Sequence, residues 1–273
     1  MNRKNWRAFQ WLIIASCVFP FAISASPDQK APIDQSLTIA VIELPPLLGK
    51  DKGLLVDLAR QAFASQSIKT TFVVYPLSRI SWAISKEKHC STLGSLRWFH
   101  ETTQKRLTAV PMYNVSAHFF YLKSKYPSGL TPLSSPKFKE YRIGTVRGGA
   151  IEKALKAKGL VSNLELVQSM PQNVKKVALN RLDMFASPLL PALHAIEYSY
   201  PNKATEFTYS KQRLSLILAQ MIFNEQCKDK IVQFERGLHH LHTTGEYKKI
   251  IQSYFLGHPV PDYVYIQPVD LEN

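Results

Sequence analysis

The chain has 273 residues, of which 45% are apolar and 20% charged, and its 34 Lys plus Arg against 20 Asp plus Glu give a formal charge of +14. That much apolar material excludes a disordered chain, and the length excludes a miniprotein held by disulfides alone. With 17 prolines, 11 glycines and no collagen-like or low-complexity bias, one large or two smaller compact domains remain.

The first 25 residues stand apart from the rest. Arg3, Lys4 and Arg7 precede an apolar stretch over residues 8–23 and then the small residues Ser24 and Ala25, the order of a secretory signal peptide. Pro20 interrupts the stretch, which is short for a membrane span of about 20 residues. An uncleaved anchor is one rival reading. Ile14-Ala15-Ser16-Cys17 supplies another, a lipoprotein box with a lipidated Cys17. Cleavage after Ser24 or Ala25 removes three cations, lowers the net charge to +11 and leaves Cys90 and Cys227. An even cysteine pair in an exported chain reads first as one disulfide, with two buried free thiols as the alternative. Lys and Arg are scattered with no run of five or six, so nucleic acid is not an expected partner. Attraction to anionic small molecules or an acidic surface is the inference that the charge supports.

After a polar leader over residues 26–36, residues 37–42 form a short apolar run that predicts a strand covered on both faces, ended by Glu43-Leu44-Pro45-Pro46. Leu54, Leu55, Leu58, Ala59, Ala62 and Phe63 recur at helical spacing. A strand over 71–75 stops at Pro76, and Ser78 has the character of an N-cap for a helix burying Ile80, Ala83 and Ile84. Residues 91–103 read as an irregular loop, 115–122 as a long strand and 123–139 as a polar, Pro-containing junction.

The alternation then restarts. A strand over 141–146, a turn at Arg147-Gly148-Gly149 and a helix over 150–158 are followed by a strand over 164–167. Ser169 and Gln172 form a capping box opening a helix to about residue 180. A strand over 182–186, a helix to about residue 198, an extended run over 214–223 and helices over 227–242 and 247–254 complete the chain. Strand–helix alternation predicts α/β halves with sites at the carboxyl ends of the strands.

The strand ending in Glu-Leu-Pro-Pro, the Gly-Leu-Leu-Val-Asp-Leu helix and the turn at residues 76–79 resemble the first lobe of family 3 extracellular solute-binding proteins, the periplasmic receptors of ABC importers. Tyr-Arg-Ile-Gly-Thr-Val-Arg-Gly-Gly-Ala, Leu-Asn-Arg-Leu-Asp-Met-Phe and the closing Leu-His-Thr-Thr-Gly-Glu-Tyr-Lys-Lys-Ile-Ile resemble its later segments, so the likeness spans about residues 37–256. It implies a type II periplasmic-binding-protein fold, two Rossmann-like α/β lobes joined by two crossing strands, with a ligand between lobes that close by a hinge. Residues 36–118 and 219–257 would form lobe 1, residues 119–218 lobe 2 and residues 258–273 a C-terminal tail. Both cysteines then fall in lobe 1, where a Cys90–Cys227 bond does not obstruct closure.

The implied function is capture of a small amino-acid-like or other carboxylate-bearing solute by a periplasmic monomer, with no cofactor and an ABC permease as partner. A sensor module without transport and a dehydratase-like enzyme on the same fold are the alternatives. A bidentate arginine and free amides at a helix start suit a carboxylate. Gly148 and Gly149 open a helix beside Thr145 and Arg147. The resemblance implies an arginine clamp after the first-lobe Ser/Thr loop, and Arg97 and Arg106 both follow that loop. The stretch Met184-Phe185-Ala186-Ser187-Pro188 lacks the acid that amino-acid receptors of this family use for the substrate ammonium. Glu43 is the alternative source of negative charge, and Tyr75 and Trp98 are candidate walls. His239 and His242 read as surface residues rather than metal ligands.

Overall fold

The computed structural model describes residues 35–148 and 150–267. The expected signal segment, Cys17, Gly149 and the last six residues lie outside the described residues. Among the described residues nine strands form one curled sheet in the order β2-β1-β3-β9-β4-β7-β5-β6, with β8 paired to β4. The strands are β1 Gln35–Val41, β2 Ile68–Val74, β3 Ser91–Gly94, β4 Thr108–Leu122, β5 Ile143–Val146, β6 Leu164–Val167, β7 Met184–Pro188, β8 Phe207–Tyr209 and β9 Ser215–Phe223. Helices α1 Leu54–Ala64, α2 Leu77–Ser85, α3 Glu101–Gln104, α4 Ala150–Ala157, α5 Met170–Ala178, α6 Leu189–Ser199, α7 Lys228–Thr243 and α8 Glu246–Ser253 cover the faces.

The first half is β1, β2 and β3 in parallel, with β9 returning antiparallel beside β3. The apolar stripe expected of α1 is buried as Leu54, Leu55, Leu58, Ala59, Ala62 and Phe63. Helix α7 crosses it at Gly237, where an added Cβ would stand 2.0 Å from the Ala62 carbonyl oxygen. Two helix backbones meet there, and only glycine permits the approach. The second half is β7, β5 and β6 in parallel. Its α4 face holds Phe119, Phe138, Ile143, Leu155 and Met184, and its other face joins the main core through Phe120, Val174, Phe185 and Leu193.

Two long antiparallel strands cross between the halves. β4 and β9 pair from Thr108 opposite Phe223 to Ala117 opposite Ser215, with a bulge between Pro111 and Tyr113. The C-terminal segment packs on this ribbon: Val264 is fully buried, the Asn114 amide donates to the Tyr263 carbonyl at 3.0 Å, and the Tyr263 hydroxyl meets His118 Nε2 at 3.0 Å. Within the expected C-terminal tail, the described residues 258–267 thus pack on the ribbon.

Several local expectations need correction. The loop expected over 91–103 contains β3, a buried central strand that the sequence hides because Ser91-Thr92-Leu93-Gly94 is short and small. The strand expected from residue 115 begins at Thr108. Pro76, not Ser78, precedes α2, with no side-chain cap, and Ser169 caps α5 without a side-chain bond. Gln172 instead accepts from the Gln168 amide at 3.0 Å. The cysteine pair is bonded as Cys90–Cys227, with Cα atoms 5.5 Å apart.

Candidate functional site

The direction of the strands locates the site. β3 runs toward its end at Gly94, opposite Gln220, which in turn pairs with Pro111. β7 runs the other way along the same ribbon and ends at Pro188, opposite Ala117, which pairs with Ser215. The carboxyl ends of both parallel sets thus point at residues 112–116 of β4 and 216–219 of β9. In α/β sheets that edge is where ligands bind. Val115 and Ile217 sit opposite each other within the stretch, each half-buried.

On the first half, Glu43, Tyr75, Arg97 and Trp98 follow β1, β2 and β3 at this edge. Arg97 is exposed, on a short 3-10 turn over Leu96–Trp98 whose cap Ser95 accepts from the Arg97 amide at 3.4 Å. Gln220 of the crossing strand accepts from the Leu96 amide at 3.2 Å, so the turn is anchored to that strand. The Trp98 ring lies on Gly94, where an added Cβ would stand 2.0 Å from the indole. Glu43 turns back over its own loop, its Oε1 3.1 Å from where a Cβ on Gly49 would be. The Tyr75 hydroxyl is engaged by His89 Nε2 at 2.9 Å, with the rings edge to face. Burial lowers the pKa of His89.

Arg97 and Arg106 part company. Arg106 precedes Thr108, which pairs with Phe223 in the row that also holds Ser91, the first residue of β3. It therefore stands at the amino-terminal edge of the first half. There it borders an open cavity of about 230 Å³ shared with Glu87, Thr103, Asn224 and Glu225.

On the second half, Thr145 is buried and its hydroxyl donates to the Ala186 carbonyl at 3.2 Å, which ties β5 to β7. Arg147 and Gly148 follow β5 and are exposed. The Gly148 amide donates to Glu152 Oε2 at 2.6 Å, and Lys156 pairs with the other carboxylate oxygen. Those two bonds lower the Glu152 pKa. This intrahelical carboxylate, which sequence reading did not single out, occupies one amide that a ligand anion would otherwise use. Its signal was the i, i+4 spacing from both Gly148 and Lys156. At the β7 exit Ser187 is fully buried with its hydroxyl on the Pro188 carbonyl, and Pro188 has no N–H to offer.

The strongest electrostatic cluster lies away from this edge. Asp183, just before β7, accepts from the Arg142 amide and guanidinium, Lys125 and Tyr126 at 2.6–3.2 Å. Burial raises the Asp183 pKa, but the bonds from Arg142 and Lys125 outweigh it and hold the carboxyl well below its usual range. Among the described residues no group of three or more His, Cys, Asp or Glu is placed to hold a metal ion. His242 stacks on Tyr247 at 3.9 Å between ring centroids.

No protein-family model matches the chain, and no curated protein matches it. Solved structures do. A probable amino-acid ABC transporter extracellular-binding protein, ytmK from Bacillus subtilis, aligns with TM-score 0.63 at 14% identity over 81% of this chain and 98% of its own. A histidine kinase sensor domain with similarity to periplasmic binding proteins aligns with TM-score 0.60 at 18% identity, over 84% and 100%. An ancestral amino acid-binding protein, a precursor of cyclohexadienyl dehydratase, aligns with TM-score 0.60 at 13% identity, over 81% and 95%. The chain has the two-lobed fold of the periplasmic binding proteins. No helix among the described residues is long and apolar enough to cross a membrane.

Proposed function

We propose that this protein is an exported receptor that captures a small carboxylate-bearing solute between lobe 1 (residues 36–118 and 219–257) and lobe 2 (residues 119–218), in the periplasm, as a monomer that delivers it to an ABC permease. The observation that carries the reading is the convergence of β3 and β7 on one stretch of the crossing strands, with exposed Arg97 beside it. Arg97 is the carboxylate clamp and Trp98 lines the site. The arrangement suits binding and release, because hinge closure around a solute needs few rigidly held polar groups.

The test uses a built-in reporter. Once residues 1–25 are removed, Trp82 and Trp98 are the only tryptophans. In a Trp82→Phe protein, titration with carboxylate-bearing solutes should give saturable change in Trp98 fluorescence, with the solute recovered unchanged. Turnover of the solute, or no response to any of them, contradicts the reading. Sensing without transport is a second reading, favoured by the likeness to the sensor domain. A response regulator system encoded beside the gene in place of a permease would select it.

A further inference from the structure

We propose that the amino-terminal pole of the second half, the end of its strands opposite Arg147, docks on an anionic phospholipid surface. This goes beyond the receptor reading and does not depend on it. Residues 119–218 carry 15 Lys plus Arg against 6 Asp plus Glu, and the topology gathers much of that excess at one end. β5, β6 and β7 are parallel, so their first residues share an edge, and α4, α5 and α6 each run back toward it. Lys137 and Lys139 lie in the 3-10 turn that leads into β5, Lys158 closes α4 ahead of β6, Lys175 is in the last turn of α5 and Arg181 precedes β7. Two bonds hold these turns side by side: the Asn163 amide donates to the Lys139 carbonyl at 3.0 Å, and the Arg142 guanidinium donates to the Asn180 carbonyl at 3.0 Å.

Lys137, Lys139, Lys158, Lys175 and Arg181 are exposed, and none makes an ion pair with another described residue. Of the acids at this pole, Asp183 is held by Arg142 and Lys125, Glu165 by Lys176 and Glu197 by His258, while Glu140 is an exposed anion within the patch. The pole therefore keeps a net positive field. The same turns also expose apolar side chains: Val161 beyond α4, Leu179 beyond α5, and Tyr198, 87% exposed, in the last turn of α6. Protein interfaces deplete lysine and centre on a contiguous apolar core. Flexible lysines around separate aliphatic and tyrosine tips suit a lipid surface instead, because the ammoniums meet headgroup phosphates while Tyr198, Leu179 and Val161 enter the boundary beneath them.

Vesicle co-sedimentation of the chain lacking residues 1–25 tests this. The protein should bind phosphatidylcholine vesicles containing about 30% phosphatidylglycerol, should not bind pure phosphatidylcholine, and should be released at about 0.5 M salt. Each cation at an anionic surface strengthens binding about 5-fold, so joint substitution of Lys137→Gln, Lys139→Gln, Lys158→Gln and Lys175→Gln should weaken it about 100-fold or more. The charge-matched set Lys50→Gln, Lys52→Gln, Lys86→Gln and Lys88→Gln, in the first half, should stay within about 3-fold, which separates this pole from overall charge. Tyr198→Ser should cost about 3- to 10-fold with the charge unchanged. Thermal unfolding of each variant confirms that it is folded. No binding to the anionic vesicles, equal losses in the two lysine sets, or binding to soluble poly-glutamate as tight as to vesicles overturns the inference, the last in favour of an acidic protein partner. The Trp98 titration is unaffected by any of these outcomes, so the receptor reading is judged separately.

Discussion

The two lobes fasten the same part of themselves by different chemistry. Lobe 1 closes its amino-terminal edge with a covalent bond, Cys90 at the start of β3 to Cys227 at the start of α7, beside Asn224, whose amide reaches the Ile84 and His89 carbonyls. Lobe 2 closes the corresponding edge with charge, Asp183 before β7 gathering Arg142, Lys125 and Tyr126. Both fasteners lie at the pole away from the strand ends that carry Arg97 and Arg147. The difference teaches that each lobe is fastened at the pole away from the carboxyl ends of its strands, one covalently and one by charge.

Breaking the covalent fastener has the largest expected effect. The bond joins residues 137 apart, so the Cys90→Ala/Cys227→Ala protein should lose about 3 to 5 kcal/mol in denaturant unfolding. The loss should be read by tryptophan fluorescence, since the tryptophans among the described residues, Trp82 and Trp98, flank β3 and its disulfide. A loss under 1 kcal/mol would show that packing around Phe223 and Phe234 already fixes that edge. Next comes the charge fastener. Asp183→Ala leaves Arg142 and Lys125 facing a part-buried gap and should cost about 2 to 3 kcal/mol, with amide exchange rising in β5 and β7 before it rises in β1. Equal effects in both lobes would mean that the lobes unfold as one unit.

Acid should separate the two fasteners further. The folded-state pKa of Asp183 is depressed, so its contribution is fully present above the unfolded value near 3.9 and is lost as pH falls through the lower folded value. Wild-type stability should therefore drop more steeply below about pH 4 than that of Asp183→Asn. The smallest effect involves histidines. Burial lowers the pKa of His89, His118 and His242, so each binds a proton more readily when unfolded. Stability should begin to decline as pH falls through about 6.5, before the carboxylates titrate. A flat profile between pH 7 and 5 would contradict those directions.

Much of the fold was legible because periodicity records burial. The α1 stripe, the parallel strands and the order of the two halves all follow from runs of apolar residues. β3 was not legible, because Ser91-Thr92-Leu93-Gly94 has turn-like composition. It holds its place through neighbours far away in sequence, β1 on one side and β9 on the other, with the Thr92 hydroxyl on the Ala40 carbonyl at 2.7 Å. That omission is why the sequence left Arg97 and Arg106 equivalent. Without the end of β3, nothing says which arginine stands at the carboxyl ends of the strands. Glu152 escaped for a similar reason, since a helix glutamate reads as solvated until its bond to Gly148 is seen.

Small-angle scattering of the mature protein with and without saturating solute asks most directly whether a guest is held between the lobes. The account predicts a smaller radius of gyration on binding, and no such contraction at the same solute concentration for Arg97→Ala. Full binding with unchanged dimensions, retained in both Arg97→Ala and Arg147→Ala, would place the solute elsewhere and contradict it.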